Sequence, residues 1–159
     1  MKLIGNRSEM GLEIQLFPNE PNRGNARIWL GGKFISTLYD DIYIRSYLFN
    51  LLDEIRNARP LDPFFEKEWK SNEGIFSMLE RSLTTDSMNS QKYLVRGSTF
   101  TDCFRIFFFK VNDSIHVLWK RRLDYDFPDV VSQGDDIFHY VVDKMSFDNW
   151  FSIVKAELS

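Results

Sequence analysis

A chain of 159 residues with a net charge of −3 can bury about 70% of the surface it exposes when unfolded. It carries no overall positive field to draw it to nucleic acid. Its one cysteine, Cys103, excludes an internal disulfide, no stretch approaches the ~18 apolar residues of a bilayer crossing, and the start lacks a secretory leader, so a cytoplasmic protein is expected.

Fifteen Phe, six Tyr and four Trp predict a core built on large rings, with some rings left for a binding surface. From the N-terminus, Leu12, Ile14 and Leu16 alternate with Glu13 and Gln15, the pattern of a half-buried strand over Gly11–Phe17. Residues 18–25, PNEPNRGN, read as an exposed loop because prolines, glycine and asparagines crowd together. Ala26–Leu38 reads as a hairpin turning at Gly31-Gly32, where positive φ angles are available.

Asp40 or Asp41 is placed to cap the clearest helix in the chain, whose apolar face is Ile44, Tyr47, Leu48, Leu51, Leu52 and Ile55. Pro60 and Pro63 close it off. Phe64–Trp69 allows a short helical turn, and Ser71 or Asn72 caps a second helix with Phe76, Leu79 and Leu83 on its buried stripe, weakened by Gly74. Thr84–Gln91 is a polar loop, and Tyr93–Val95 begins another strand.

The central feature is Thr101–Arg122, two strands and their turn. Apolar residues on both faces of Phe104–Val111 suit a strand covered on both sides. A two-residue Asn112-Asp113 turn pairs Val111 with Ser114, Phe108 with Val117 and Ile106 with Trp119. A three-residue loop would pair Phe109 with Val117 and Phe107 with Trp119; the first register is preferred. Leu123–Asp136, with five aspartates around Pro128 and Gly134, disfavours helix, Ile137–Met145 reads as the last strand, and Ser146 caps a final helix burying Phe147, Trp150, Phe151, Val154 and Leu158. Strands and helices in segregated runs predict a single α+β domain over 1–159, an antiparallel sheet of five to seven strands with about three helices packed against it.

Chemistry-bearing residues are sparse. A cysteine nucleophile needs a base beside it, and the preferred register sets His116 opposite Phe109, away from Cys103. Two histidines without a cysteine cluster make a poor zinc site, and the aspartates do not follow a calcium-loop spacing. Lys120, Arg121 and Arg122 with Trp119 and Tyr125 form a small basic-aromatic group of the kind that binds single strands, but three solvated charges at a strand end are the simpler reading. No catalytic, cofactor-binding or metal-ligating residue is assigned. Asp124, Asp126, Asp129, Asp135 and Asp136 read instead as a solvated loop or as an acidic surface complementary to a basic protein partner.

Three stretches together resemble bacterial immunity protein family 42. Ile28–Leu38, IWLGGKFISTL, followed by the leucine-rich helix, is similar to the family's opening hairpin and helix, with Ile35-Ser36-Thr37 where an Ile-Gly-Asp-like segment is usual. Phe100–Trp119 is similar to its Phe-Asp-containing strand and the return strand ending in tryptophan, and Phe138–Leu158 to its closing strand and helix. The resemblance implies a non-enzymatic protein that binds and blocks the C-terminal domain of a polymorphic or contact-dependent toxin, with no residue to carry over by position. The rivals are a regulatory or ligand-binding domain with an apolar pocket, and an enzyme using Cys103 or the aspartates.

Overall fold

The computed structural model describes residues 1–85, 90–96 and 99–159. Strands β1 (Lys2–Gly5), β2 (Met10–Phe17), β3 (Glu20–Leu30), β4 (Lys33–Phe34) and β5 (Asp41–Tyr43) form one antiparallel sheet, in which β3 pairs with β2 on one side and with both β4 and β5 on the other. Strands β6 (Phe104–Val111), β7 (Ser114–Arg121) and β8 (Phe138–Asp143) form a second antiparallel sheet in sequence order. Helices α1 (Asn50–Arg56), α2 (Pro63–Glu68), α3 (Asn72–Ser82), α4 (Pro128–Ser132) and α5 (Lys144–Leu158) complete the α+β fold. The expected class stands, with the strands beyond the first five gathered into a sheet of their own.

The second sheet separates two apolar clusters. Phe104, Ile106 and Phe108 of β6 join Ile14, Ile28, Leu52 and Phe151 in the larger one. Phe107 and Phe109, on the opposite face, join Phe65, Phe76, Leu79 and Leu118 under α2 and α3. This is why β6 reads apolar at nearly every position: alternate side chains enter different cores. β6 ends the strand order, but Leu94 bridges to Phe107 and Pro60 to Lys110 along its outer edge. The β6–β7 register is the preferred one, with Val111 opposite Ser114, Phe108 opposite Val117, Ile106 opposite Trp119 and His116 opposite Phe109. Asn112 supplies the positive φ, 54°, that closes the turn.

Several expectations are corrected. The segment 18–25 is a loop only at its start: after a turn at 18–19, residues 20–25 open β3, whose ladder to β2 slips at Leu16/Phe17. Gly24 belongs there because a Cβ would stand 2.3 Å from the Gln15 carbonyl oxygen, so its glycine serves close strand approach rather than a turn. The return strand of the first hairpin stops at Phe34, because Ser36 turns its hydroxyl into the sheet, accepting from Ile28 N at 2.9 Å. Glu13 is buried rather than exposed, receiving Arg7 Nε at 2.5 Å and the Trp29 indole N–H at 2.7 Å. Neither Asp40 nor Asp41 caps the first helix. Asp41 lies in β5 and ion-pairs with Arg23, and the helix starts from Tyr43 through a π-helical turn, Ile44–Phe49, without a side-chain cap. The wider turn breaks the 3.6-residue phase, leaving Tyr47 exposed while Ile44, Leu48, Leu51, Leu52 and Ile55 are buried.

Tyr93–Val95 is no strand. Gln91–Tyr93 forms a 3₁₀ turn, and only Leu94 makes a bridge. The polar loop expected at Thr84–Gln91 lies partly outside the described residues. A short helix, α4, interrupts the aspartate-rich segment with Pro128 at its first turn, a position that needs no N–H donor. Helix α5 begins two residues before Ser146, because Asp143 is the cap and accepts the Ser146 N–H at 2.9 Å. Ser71 caps α3 as expected, accepting from Gly74 N at 3.0 Å.

Candidate functional site

The aspartate-rich segment is fastened to the first sheet by two side chains of the α4 region. Gln133 is buried and forms a two-bonded clasp with the Phe34 backbone, accepting from its N–H at 2.9 Å and donating to its carbonyl at 2.8 Å. Asp129 accepts from Thr37 Oγ1 at 2.9 Å, from Leu38 N at 3.1 Å, from its neighbour Val130 N at 2.9 Å and from Arg27 Nη2 at 2.9 Å. Its side chain is only 8% exposed. A carboxylate so fully engaged is a structural tie, and its acceptor capacity is spent within the chain.

The other four aspartates are exposed. Arg122 Nη2 donates to Asp124 at 3.0 Å and Arg121 Nε to Asp135 at 2.6 Å. Both carboxylates remain more than 60% exposed, so these pairs are weakly held and open to exchange. Asp126 and Asp136 have no ion-pair partner among the described residues. The segment therefore presents four carboxylates outward and turns the fifth inward.

Fastening this segment also brings aromatic rings together. Phe127 stacks on Tyr39, centroids 5.8 Å apart and planes within 10°, and Tyr125 reaches Phe127 at 6.0 Å. Tyr39, Tyr43 and Tyr47 are all large, exposed side chains, with Tyr43 and Tyr47 6.0 Å apart. Sequence reasoning passed over this group. The available signal was the spacing of four between the three tyrosines, read there as helical burial for Tyr47.

The remaining candidates are disposed differently. Cys103 is fully buried and its thiol is pushed up to about 12, first by burial and then by Asp129, so it holds no thiolate at neutral pH. His116 and His139 meet across β7 and β8, Nδ1 of the first 2.9 Å from Nε2 of the second, with Trp69 edge-on to both. Burial lowers both imidazoles. No group of three or more His, Cys, Asp and Glu among the described residues is arranged to hold a metal ion. Trp119 is fully buried, which removes the ring from the basic-aromatic group at Lys120–Arg122. A cleft of about 580 Å³ is lined by Asp53, Glu54, Arg59, Lys92 and Arg96 beside Phe108, a charged wall unlike the apolar pocket of the ligand-binding rival. No helix among the described residues is long and apolar enough to cross a membrane.

The crystal structure of CdiI from Burkholderia dolosa shares this fold, with a TM-score of 0.64 over 98% of this chain and 99% of that one at 16% sequence identity. No curated protein matches the sequence. The family model for immunity protein 42 matches residues 1–156. Hairpin, π-turned helix, central sheet and all but the last two residues of the closing helix fall within that match, and the chain belongs to the immunity protein 42 family.

Proposed function

We propose that this chain is a cytoplasmic immunity protein that binds and neutralises the C-terminal toxin domain of a contact-dependent growth inhibition or related polymorphic toxin system. It acts as one domain over residues 1–159, by tight stoichiometric binding and without chemistry of its own. The observation that carries this reading is the family match across nearly the whole chain, and the fold shared with CdiI supports it. Cys103 held as a buried thiol, and histidines paired with one another, supply no nucleophile and base.

Asp124, Asp126, Asp135 and Asp136 form the proposed acidic part of the partner surface, and Asp129 holds them in place. Outward carboxylates suit the basic substrate-binding surface of a nuclease toxin, where opposed charges speed encounter and fix orientation. Titration calorimetry against the toxin domain encoded immediately upstream tests the function. A stoichiometry near one with a nanomolar or tighter constant, about −12 kcal/mol, and protection of cells expressing that toxin are expected. Absence of binding between two folded proteins would remove the reading.

A further inference from the structure

Tyr39, Tyr43 and Tyr47 are exposed at both ends of the short stretch that carries Asp40 and Asp41. In β5 the side chains alternate, so Ile42 is buried while Asp41 and Tyr43 face out. Tyr47 continues the line through its contact with Tyr43, and Arg23 lies over the Tyr43 ring at 5.3 Å while pairing with Asp41 and Glu20. At the other end Tyr39 is steadied by its stack on Phe127 and by its N–H, which donates to Thr37 Oγ1 at 3.1 Å.

Asp40 lies between Tyr39 and Asp41 in the chain, and Asp102 is near enough to act on its charge; both are half-buried. Burial first, then Asp41 and Asp102, hold the Asp40 carboxyl above its usual range, and Asp40 has no ion-pair partner among the described residues. Burial likewise raises Asp102, which Arg122 only partly relieves. The charge here is thus under-compensated, unlike that of Asp124 and Asp135, which have arginines of their own.

Tyrosine is enriched among the few residues that dominate protein interfaces, and three of them clustered with carboxylates make a patch rather than scattered rings. Two χ angles and a ring limit the entropy lost on docking. We propose that Tyr39, Tyr43 and Tyr47, with the carboxylates of Asp40 and Asp102 among them, are the energetic centre of the surface that grips the toxin domain, and that the face they grip is basic. The inference rests on the function proposed above. The tyrosines supply contact area, their hydroxyls and the two carboxylates receive arginine or lysine donors, and the outward carboxylates at 124–126 form the polar rim beside them.

The test uses the full chain and the toxin domain encoded upstream. Binding constants and rates are measured for the wild type, the triple variant Tyr39→Ala/Tyr43→Ala/Tyr47→Ala, the pair Asp40→Asn/Asp102→Asn, and the control Phe64→Ala/Ile153→Ala, whose side chains are exposed elsewhere. Circular dichroism and thermal unfolding establish that each variant is folded, and Tyr47→Ala alone stands in for the triple variant should that fail. Expected are a loss of at least about 100-fold for the triple variant, about tenfold for Tyr47→Ala or for the aspartate pair, the latter with a shallower salt dependence, and no change for the control. Wild-type binding with a loss below tenfold in the tyrosine variant overturns the inference and leaves the function standing. Failure of the wild type to bind overturns both. A dimer of the chain that dissociates on removing the tyrosines would assign the face to self-contact and also overturn the inference.

Discussion

His116 and His139, 23 residues apart in sequence, meet edge to edge with ring planes within 18° and centroids 5.1 Å apart, joined by one hydrogen bond between Nδ1 and Nε2. One ring donates and the other must accept, so the pair requires at least one neutral imidazole. Phe109 stacks on His116 and Trp69 closes the group edge-on, leaving little water to solvate a proton.

That arrangement predicts acid sensitivity. Burial, then the neighbouring His139, bring His116 down to about 4, and burial lowers His139. Unfolding restores values near 6.5, so between about pH 6.5 and 4 the unfolded chain binds more protons. The pair's contribution is complete above about pH 6.5 and is lost as pH falls towards 4. Urea unfolding at pH 7.0 and 4.5 should show a loss on the order of 1–2 kcal/mol in the wild type beyond that in His116→Asn/His139→Asn. Equal pH slopes in the two proteins would refute it. The difference cancels Asp40, Asp102 and Glu54, whose raised carboxyls act in the opposite direction.

Asp129→Ala should be among the costlier single substitutions in the chain. It strands the Arg27 guanidinium, 17% exposed at its side chain, and frees Thr37 Oγ1 and Leu38 N at once. A loss of about 3 kcal/mol is expected from denaturant midpoints. Asp124→Ala, removing an exposed pair, should stay within about 0.5 kcal/mol of wild type.

Trp119 is fully buried, yet its indole N–H has no acceptor among the described residues. Trp119→Phe gives up part of the ring's packing but also removes an orphaned donor worth about 1–3 kcal/mol. The two effects oppose, and the net change in unfolding free energy should lie within about 1 kcal/mol. Trp119→Ala, which leaves a cavity, should cost about 3–5 kcal/mol. A Phe variant as destabilised as the Ala variant would mean that the indole N–H is satisfied.

Cys103 should serve as a reporter of unfolding rather than of function. With its thiol raised to about 12 and its side chain enclosed, Ellman's reagent should label the native protein no faster than global unfolding permits, and within minutes in urea. Rapid labelling without denaturant would contradict this burial. Cys103→Ala should leave toxin binding unchanged.

What could be read from the sequence was what local pattern controls. Asn112 made a two-residue turn, and from it the whole β6–β7 register followed. The stripe Phe147, Trp150, Phe151 and Val154 likewise marked α5. The misreadings arose where a distant partner overrode local preference. The π-turn moved Tyr47 out of the core, and a sequence separation of 92 residues lay between Asp129 and Thr37. Thr37 falls in the Ile35-Ser36-Thr37 stretch, and that hydroxyl is the one Asp129 receives. Five aspartates close in sequence looked equivalent because charge alone does not tell a surface carboxylate from a buried tie. The Tyr39–Phe127 stack was likewise hidden: Tyr39 lay between the hairpin and the helix, Phe127 in the aspartate segment read as a solvated loop, and neither pattern pointed to the other.

The separation of Asp129 from its four neighbours gives the sharpest test of the acidic surface. Replacing Asp124, Asp126, Asp135 and Asp136 with Asn keeps the shapes and removes four outward charges, while Asp129 continues to hold Thr37, Leu38 and Arg27. The variant should unfold within about 1 kcal/mol of wild type, because its two ion pairs are exposed. If the segment faces a basic toxin surface, association measured by stopped flow at low salt should slow about tenfold or more. Near 0.5 M salt the two proteins should converge, since the Debye length there is only about 4–5 Å. Dissociation rates should change far less, as rim charges act mainly on encounter. An unchanged on-rate at low salt, with binding intact, would take these four residues out of the interface and leave Asp129 as the only one of the five with a defined task.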